Sequence, residues 1–336
     1  MSGDGAVTVR AFESNDESRV VELLQRAFGR WPRHIDGVQP SEFFRWKHST
    51  SPFGKSICLV AEAEDALIGF AALMPWRLRI GEQVLSAIRG VDLAVDPGYQ
   101  RRGVSMRLIG AARGHYSDEV ALGWTNPNEY SRGGVLKSGR RKVVGLPRYV
   151  GLGGWPHLTI GRALANGAGP APRRLAGEPA AAVLEDRARV ARLLEQARRP
   201  SDRITTDGDP VFLHWRYGQF EDYRAVGAQA GGGRGGGIAI FRLRRHGRFW
   251  VAQICELLVE HDDPRTARRL LAEVRSSSRA DFVACSLPSR GHAARRGLLK
   301  SPRGTLLTAN PLRENLDPDP TLPASWALSL GDLELL

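Results

Sequence analysis

The 336-residue chain predicts an α/β fold, of the α+β kind in which helices lie on a mixed sheet, set out as two consecutive units. Three observations carry this. Residues 88–113, IRGVDLAVDPGYQRRGVSMRLIGAAR, read as an apolar strand, a turn at Asp96-Pro97-Gly98 and a helix opening at Gly103. Strand-like and helix-like stretches alternate on both sides of it between residues 7 and 150. FFRWKH at 43–48 returns as FLHWRY at 212–217, each ahead of a hairpin and an apolar strand ending in Asp-Pro. Trp46 precedes Asp96 by 50 residues and Trp215 precedes Asp263 by 48.

Taken in order, VTVRAF (7–12) alternates as a first strand, and Ser14 with Glu17 has the spacing of a capping box before the helix ESRVVELLQRAF. A loop with Trp31, Pro32, Arg33 and His34 leads to a short helix, SEFFRWKH. SICLVAEAE, LIGFAALMPWRLRI and the central strand form an antiparallel meander. After the helix at Gly103, EVALGW is a strand, PNEYSRGGVLKSG has helical length with a glycine stop, and RKVVGLPRYV is a final strand. Residues 1–150 are thus expected to form the first domain. The Gly/Ala/Pro-rich stretch 151–182 reads as a linker and 183–336 as the second domain, opened by a basic amphipathic helix. In the second unit Asp263-Pro264 runs into RTARRLLAEV without a glycine. GGGRGGG at 231–237 lacks a Gly-Lys-Ser/Thr ending and is expected to be a hairpin loop.

Bulk properties narrow the function classes. The formal charge is +12, from 48 basic and 36 acidic residues, and only Lys47, Lys55, Lys137, Lys142 and Lys300 are lysines. Such a balance suits anionic partners. The arginines are scattered, however, and no RNA-recognition or zinc-finger pattern accompanies them, so nucleic acid is not the expected partner. No apolar run approaches the ~18 residues that span a bilayer, and no leader precedes the first strand; a cytoplasmic location without membrane attachment is expected. Cys58, Cys255 and Cys285 lack Cys-x-x-Cys spacing and the eight histidines lack ligand spacing, so no metal is expected.

A helix opening on a glycine presents unpaired amides and a partial positive charge, here beside Arg101 and Arg102, and suits a phosphate. The run Gln100-Arg101-Arg102-Gly103-Val104-Ser105 after an apolar strand and Asp-Pro resembles the acyl-CoA signature Q/R-x-x-G-x-G/A of the GNAT superfamily of N-acetyltransferases, with Ser105 in place of the usual glycine or alanine. The resemblance implies two tandem acetyltransferase-like domains, the second degenerate and unable to bind CoA. It also implies acetyl-CoA as acyl donor, its pyrophosphate on the amides from Arg101 to Met106, and its pantetheine arm along the backbone of Leu93, Ala94 and Val95. Asn126 would lie near the thiol. Direct attack by a primary amine of a small molecule would follow, the acceptor being an amino sugar, an amino acid derivative or a specialised metabolite. Asp92 is the candidate to take the amine's proton or hold its ammonium group, and burial would make it a stronger base, with a bond to a neighbouring strand or to an arginine such as Arg89 as the alternative. The family's usual acid, a tyrosine, aligns with Val135, so Tyr130 is the substitute candidate. Trp31, His34 and Trp76 are candidates for acceptor contact, with simple packing as the alternative. The tail, LPASWALSLGDLELL, is expected to dock on the domain interface or to anchor the C-terminus.

Two other readings stay open. Aminoacyl transfer from tRNA also uses paired domains of this kind, but has no need of a pyrophosphate cradle. A non-catalytic scaffold of two decayed domains fits the missing tyrosine and not the intact Gln100 to Gly103. Monomer and homodimer are both compatible with the sequence.

Overall fold

The structure is a computed structural model that describes every residue except 1–5, 33, 34, 36, 117, 128–132, 134, 138, 140, 165–176, 198–201, 221, 230–235, 287–296, 303 and 334–336. Its first half contains β1 (Thr8–Ala11), α1 (Glu17–Phe28), α2 (Pro40–Ser49), β2 (Ile57–Ala63), β3 (Ala66–Ile80), β4 (Gln83–Val95), α3 (Val104–Arg113), β5 (Leu122–Thr125), β6 (Arg141–Leu146) and β7 (Tyr149–Leu152). There follow α4 (Pro156–Leu164), β8 (Glu178–Pro179), α5 (Ala180–Leu184), α6 (Arg187–Ala197), β9 (Thr205–Thr206), α7 (Pro210–Gly218), β10 (Tyr223–Ala228), β11 (Gly237–His246), β12 (Phe249–Val259), α8 (Pro264–Ser277), β13 (Phe282–Cys285), β14 (Leu299–Lys300), β15 (Thr305–Pro311) and α9 (Leu330–Leu333).

The strands form two mixed sheets. One runs β1-β2-β3-β4-β5-β15-β6, with β9 added on β3; the other runs β14-β7-β13-β12-β11-β10-β8. In each, a meander of long antiparallel strands is followed by one parallel pair, β4 with β5 and β12 with β13. The meander follows from local chemistry: Glu64 and Asp65, both at positive φ, make the two-residue turn between β2 and β3, and Gly81 at φ +55° turns β3 into β4. Gly69 lets α3 lie close on the first sheet, since a Cβ there would stand 2.9 Å from Val104 Cγ1 and 3.0 Å from Leu108 Cδ1.

Three local expectations change. The turn before α1 is capped by Glu13 and Asp16 rather than Ser14 and Glu17. Ser14 itself lies within that helical turn, and the buried Asp16 carboxylate accepts from the Glu13 amide at 2.9 Å and from Arg10 at 2.7 Å. RKVVGLPRYV is two strands, interrupted at Pro147. β6 stays at the edge of the first sheet and β7 pairs with β13 and β14 in the second. In exchange β15, from the far end of the sequence, enters the first sheet between β5 and β6. Within the stretch read as a linker, α4 and β8 are ordered elements, and the amphipathic helix is two, α5 and α6.

The repeated motif meets itself at the centre. Trp46 of α2 and Trp215 of α7 stack with ring centroids 4.9 Å apart; each indole donates to the other's backbone carbonyl, at 2.9 and 3.2 Å. One continuous apolar core runs through this pair, taking in Trp76 and Trp124 from the first sheet, Ile240 and Cys255 from the second, and Trp326 and Leu330 from the tail. The tail is therefore part of the core. Its Ser329 hydroxyl and the Tyr217 hydroxyl both donate to Glu256 Oε1, at 2.9 and 2.7 Å.

Candidate active site

The site is created by an irregularity in β4. Ala72 pairs with Val91 and Phe70 with Ala94, so that Asp92 and Leu93 together oppose the single residue Ala71. Asp92, at φ +48°, takes up the bulge. The parallel pairing of β4 with β5 covers only 87–89 against 122–124, after which the Thr125 hydroxyl donates to the Gly90 carbonyl at 2.7 Å. Beyond that bond the two strands part, and the edge of β4 from Val91 to Val95 turns toward a cleft.

α3 opens beside this edge. Arg101 and Gly103 both have positive φ, +65° and +81°, and Gly103 occupies the N-cap without any side-chain cap on the helix. A Cβ on Gly103 would meet nothing within 4 Å, so space lies in front of the first amides. These residues suit a diphosphate. The corresponding start of α8 differs: the Asp263 carboxylate itself accepts from the amides of Arg265 and Thr266, filling the position an anion would take.

A cavity of about 910 Å³ lies behind the cleft, walled on one side by Gly90 to Leu93 of β4 and by Ile109, Ala112 and Tyr116, and on the other by residues of the second sheet. At its wall the buried Asp92 carboxylate is 2.8 Å from Lys47 Nζ and 3.1 Å from His48 Nε2; His48 Nδ1 is 3.1 Å from the Ser56 hydroxyl. Burial pushes the Asp92 carboxyl up, but Lys47 and the His48 hydrogen bond outweigh it and hold it well below its ordinary value. The expectation of a strengthened base is thus overturned. Burial pushes the Lys47 and His48 pKa values down, so His48 is neutral at neutral pH; with Ser56 donating to Nδ1, its Nε2–H donates to Asp92.

Arg89, buried one turn of the strand earlier, does not bond Asp92. Its guanidinium donates to Asn126 Oδ1 at 2.8 Å, to the Leu333 carbonyl at 2.9 Å and to the Asp332 carbonyl, and it stacks over Trp124 and Trp76 at 4.4 and 5.1 Å. Burial and Arg216 push its pKa down to about 9, which leaves it charged at neutral pH. Asn126 Nδ2 also donates to the Leu333 carbonyl, so the tail closes one wall.

Of the candidates from sequence, Asp92, Leu93, Asn126 and Trp31 line the one cavity, Trp31 with its ring edge-on to Phe43 at 5.0 Å. Ala94 is buried within β4, while Val95, Gln100, Arg101, Arg102, Val104, Ser105 and Met106 follow at the strand end and the opening of α3 rather than on the cavity wall. Arg102 covers the Tyr99 ring at 5.2 Å, and Gln100 Nε2 is 3.4 Å from the Val95 carbonyl. Trp76 is not brought to the cavity; it is 1 % exposed and donates to Thr206 Oγ1 at 3.0 Å, so packing is its role. His34 and Tyr130 lie outside the described residues, whereas Val135 lines the cavity. Lys47, His48, Arg89, Arg148 and Arg244 were not singled out as site residues. The repeated motif held a signal for the first two, since Lys47-His48 and Arg216-Tyr217 occupy the same places in it and each pair reaches a buried chemistry-bearing group.

The result is a mixed α/β fold in which the parallel pair splays beside a helix start that no side chain caps. Residues 8–132 match the family model described as an acetyltransferase (GNAT) domain. Within the chain, residues 8–132 thus carry a segment similar to a GNAT acetyltransferase domain. No sequence among curated proteins matches it. Solved structures share the fold over nearly the whole chain. A GCN5-related N-acetyltransferase from Kribbella flavida is 17 % identical at a TM-score of 0.60, covering 92 % of this chain and 71 % of that one. One from Anabaena variabilis is 11 % identical at 0.60, covering 92 % and 73 %. Eis1 from Mycobacterium abscessus is 16 % identical at 0.52, covering 91 % and 73 %. No helix among the described residues is long and apolar enough to cross a membrane, and no group of metal-ligating side chains is found among them.

Proposed function

We propose that the protein transfers an acyl group, acetyl by default, from acyl-CoA to a primary amine of a small molecule held in the cavity between the two sheets. The observation that supports it best is the splay of β4 from β5 at the Asp92 bulge, set beside the uncapped start of α3. GNAT domains use acetyl-CoA, which supplies the acyl group already activated as a thioester. In this reading the amides opening α3, from Arg101 to Met106, hold the diphosphate, aided by the guanidinium groups of Arg101 and Arg102. The parted edge of β4, Leu93 to Val95, pairs with the pantetheine arm. An amide of that edge polarises the thioester carbonyl.

Asp92 acts here as a positioning residue. A carboxylate held ionised by Lys47 and His48 is a poor acceptor for an amine's proton, and is suited to fixing the Lys47 ammonium at the cavity wall. Trp31 bounds the acceptor, and Asn126, held by Arg89 and the tail, borders the reacting end. Tyr130 remains the candidate for protonating the leaving thiolate. The second sheet, with Asp263 capping its own helix, shapes the acceptor pocket and binds no CoA; we read it as a degenerate copy of the first.

Calorimetric titration with acetyl-CoA tests this reading. One equivalent is expected to bind, and Gly103→Trp, which places an indole before the amides at a positive φ, is expected to abolish binding while the circular dichroism spectrum is kept. A wild-type protein that takes up no acetyl-CoA would end the proposal.

A further inference from the structure

Two buried cations stand among the described residues that line the cavity, Lys47 and Arg89, and they are held in different ways. Arg89 is turned to the tail and to Asn126, with two indoles over its guanidinium. Lys47, in the last turn of α2, sets its ammonium against Asp92, 2.8 Å from Oδ2 and 3.0 Å from Oδ1. An ammonium has three N–H donors. Asp92 is its hydrogen-bonding partner among the described residues and can take two of them, which leaves one for the cavity that Lys47 lines.

The support behind this ammonium is layered. His48 Nε2–H donates to Asp92 Oδ2 at 3.1 Å, and the Ser56 hydroxyl donates to His48 Nδ1 at 3.1 Å. The imidazole packs on Phe44 and Phe70, with ring centroids 4.7 and 5.9 Å away. Asp92 itself sits at φ +48°, a region that a residue other than glycine enters at a cost and that marks sites where a group must be held in place. Both oxygens of its carboxylate are already occupied, so the group held in place is Lys47 Nζ. The chain after Asp92 is the parted edge of β4, and Gly90 to Leu93 share the cavity wall with Lys47 and Asn126. Lys47 thus stands where that edge reaches the cavity. A fixed cation away from water acts on nearby charge far more strongly than a mobile one in solvent.

We infer that Lys47 is a catalytic residue: its ammonium donates to the acyl oxygen of the thioester, beside the amide of the β4 edge, and stabilises the negative charge that builds on that oxygen. The inference rests on the transferase reading above and assigns a further group to the same site. The acceptor ammonium first loses one proton to solvent, and the lone pair so freed forms the N–C bond. The carbonyl electron pair moves onto the oxygen facing Lys47 and returns as the C–S bond breaks. The nitrogen sheds a second proton and the thiolate takes one up. Lys47 keeps its own protons throughout, as an ammonium paired with an ionised Asp92 does.

Acetyl-CoA carrying carbon-13 at its thioester carbonyl reports the contact directly, in the difference infrared spectrum of the bound protein. The carbonyl stretch is expected below that of free acetyl-CoA, and in Lys47→Met combined with Asp92→Asn, which leaves neither charge unpaired, it is expected to move back toward the free value. The same double variant is expected to keep its calorimetric affinity for acetyl-CoA and to lose roughly 10²–10³-fold in kcat, the scale of one oxyanion donor. Lys47→Gln, which keeps an N–H donor and removes the charge, is expected to shift the stretch in the same direction and to retain part of the rate; it carries the test by itself if the double variant does not fold. A carbonyl stretch unmoved in the variants, or an unchanged kcat, overturns the inference and leaves the transferase reading standing. So does a loss confined to the KM of the amine, which assigns Lys47 to the acceptor, or an affinity for acetyl-CoA that falls as far as kcat. If the wild-type protein binds no acetyl-CoA, both fall together.

Discussion

The Asp92 carboxylate shows how two opposed effects are settled by distance. Burial alone would protonate it, yet an ammonium at 2.8 Å and an imidazole at 3.1 Å keep it ionised. Removing one partner of such a buried pair leaves the other charge uncompensated. Asp92→Asn is therefore expected to cost about 3–5 kcal/mol of stability and to depress acyl transfer, whereas Lys47→Met combined with Asp92→Asn recovers a good part of the loss of stability. Urea denaturation of the single and double variants measures this; additive losses would mean that the pair is not coupled. Asp92 was legible in the sequence as a charge within an apolar strand. Its partners were not, because Lys47 and His48 sit 45 and 44 residues earlier on a helix whose spacing says nothing of what its last turn touches.

At the scale of elements, the strand-turn-helix from β4 to α3 carries the account, and it was the most legible part of the chain. Its apolar run, Asp-Pro turn and glycine determine their geometry locally. The bulge was hidden, since an extra residue in a strand leaves no mark on an apolar stretch. The cradle also depends on how closely α3 approaches the sheet. Gly69→Ala places a methyl group 2.9 Å from Val104 Cγ1 and 3.1 Å from Ala61 Cβ, which α3 must yield to accommodate. It is expected to cost about 1–3 kcal/mol and to weaken acetyl-CoA binding, seen in melting temperature and calorimetry. Unchanged affinity would show that the cradle tolerates a shift of the helix. The strand exchange of β7 and β15 could not be read from the sequence. Both are short apolar runs, and pairing partners 130 or more residues apart leave no local signal.

At the scale of the molecule, the tail and the paired motifs join the two sheets into one core, so the active cavity depends on both halves. Glu256 records this junction. Burial, with the Asp332 charge adding to it, pushes its pKa up to about 8, against the hydrogen bonds from Tyr217 and Ser329. The unfolded chain releases this proton near pH 4.3, so between that value and about pH 8 the folded state holds the proton and the unfolded state does not. Stability from this group is accordingly present at low pH and declines as pH rises to about 8. Glu256→Gln is expected to flatten that part of the melting-temperature profile; an unaltered slope would place the dependence elsewhere. The repeat that builds the junction was legible as FFRWKH and FLHWRY. That the two tryptophans stack on each other, and that the tail completes the wall beside Arg89, required the folded chain.

The central claim is that the parted edge of β4 and the uncapped start of α3 together hold an acyl-CoA. A crystal structure of the protein with CoA tests it most directly. The account predicts the diphosphate on the amides that follow Arg101 and the pantetheine arm along Leu93 to Val95, reaching the cavity at Asn126. CoA seated on the second sheet beside α8, or absent from the cleft at saturating concentration, would contradict it.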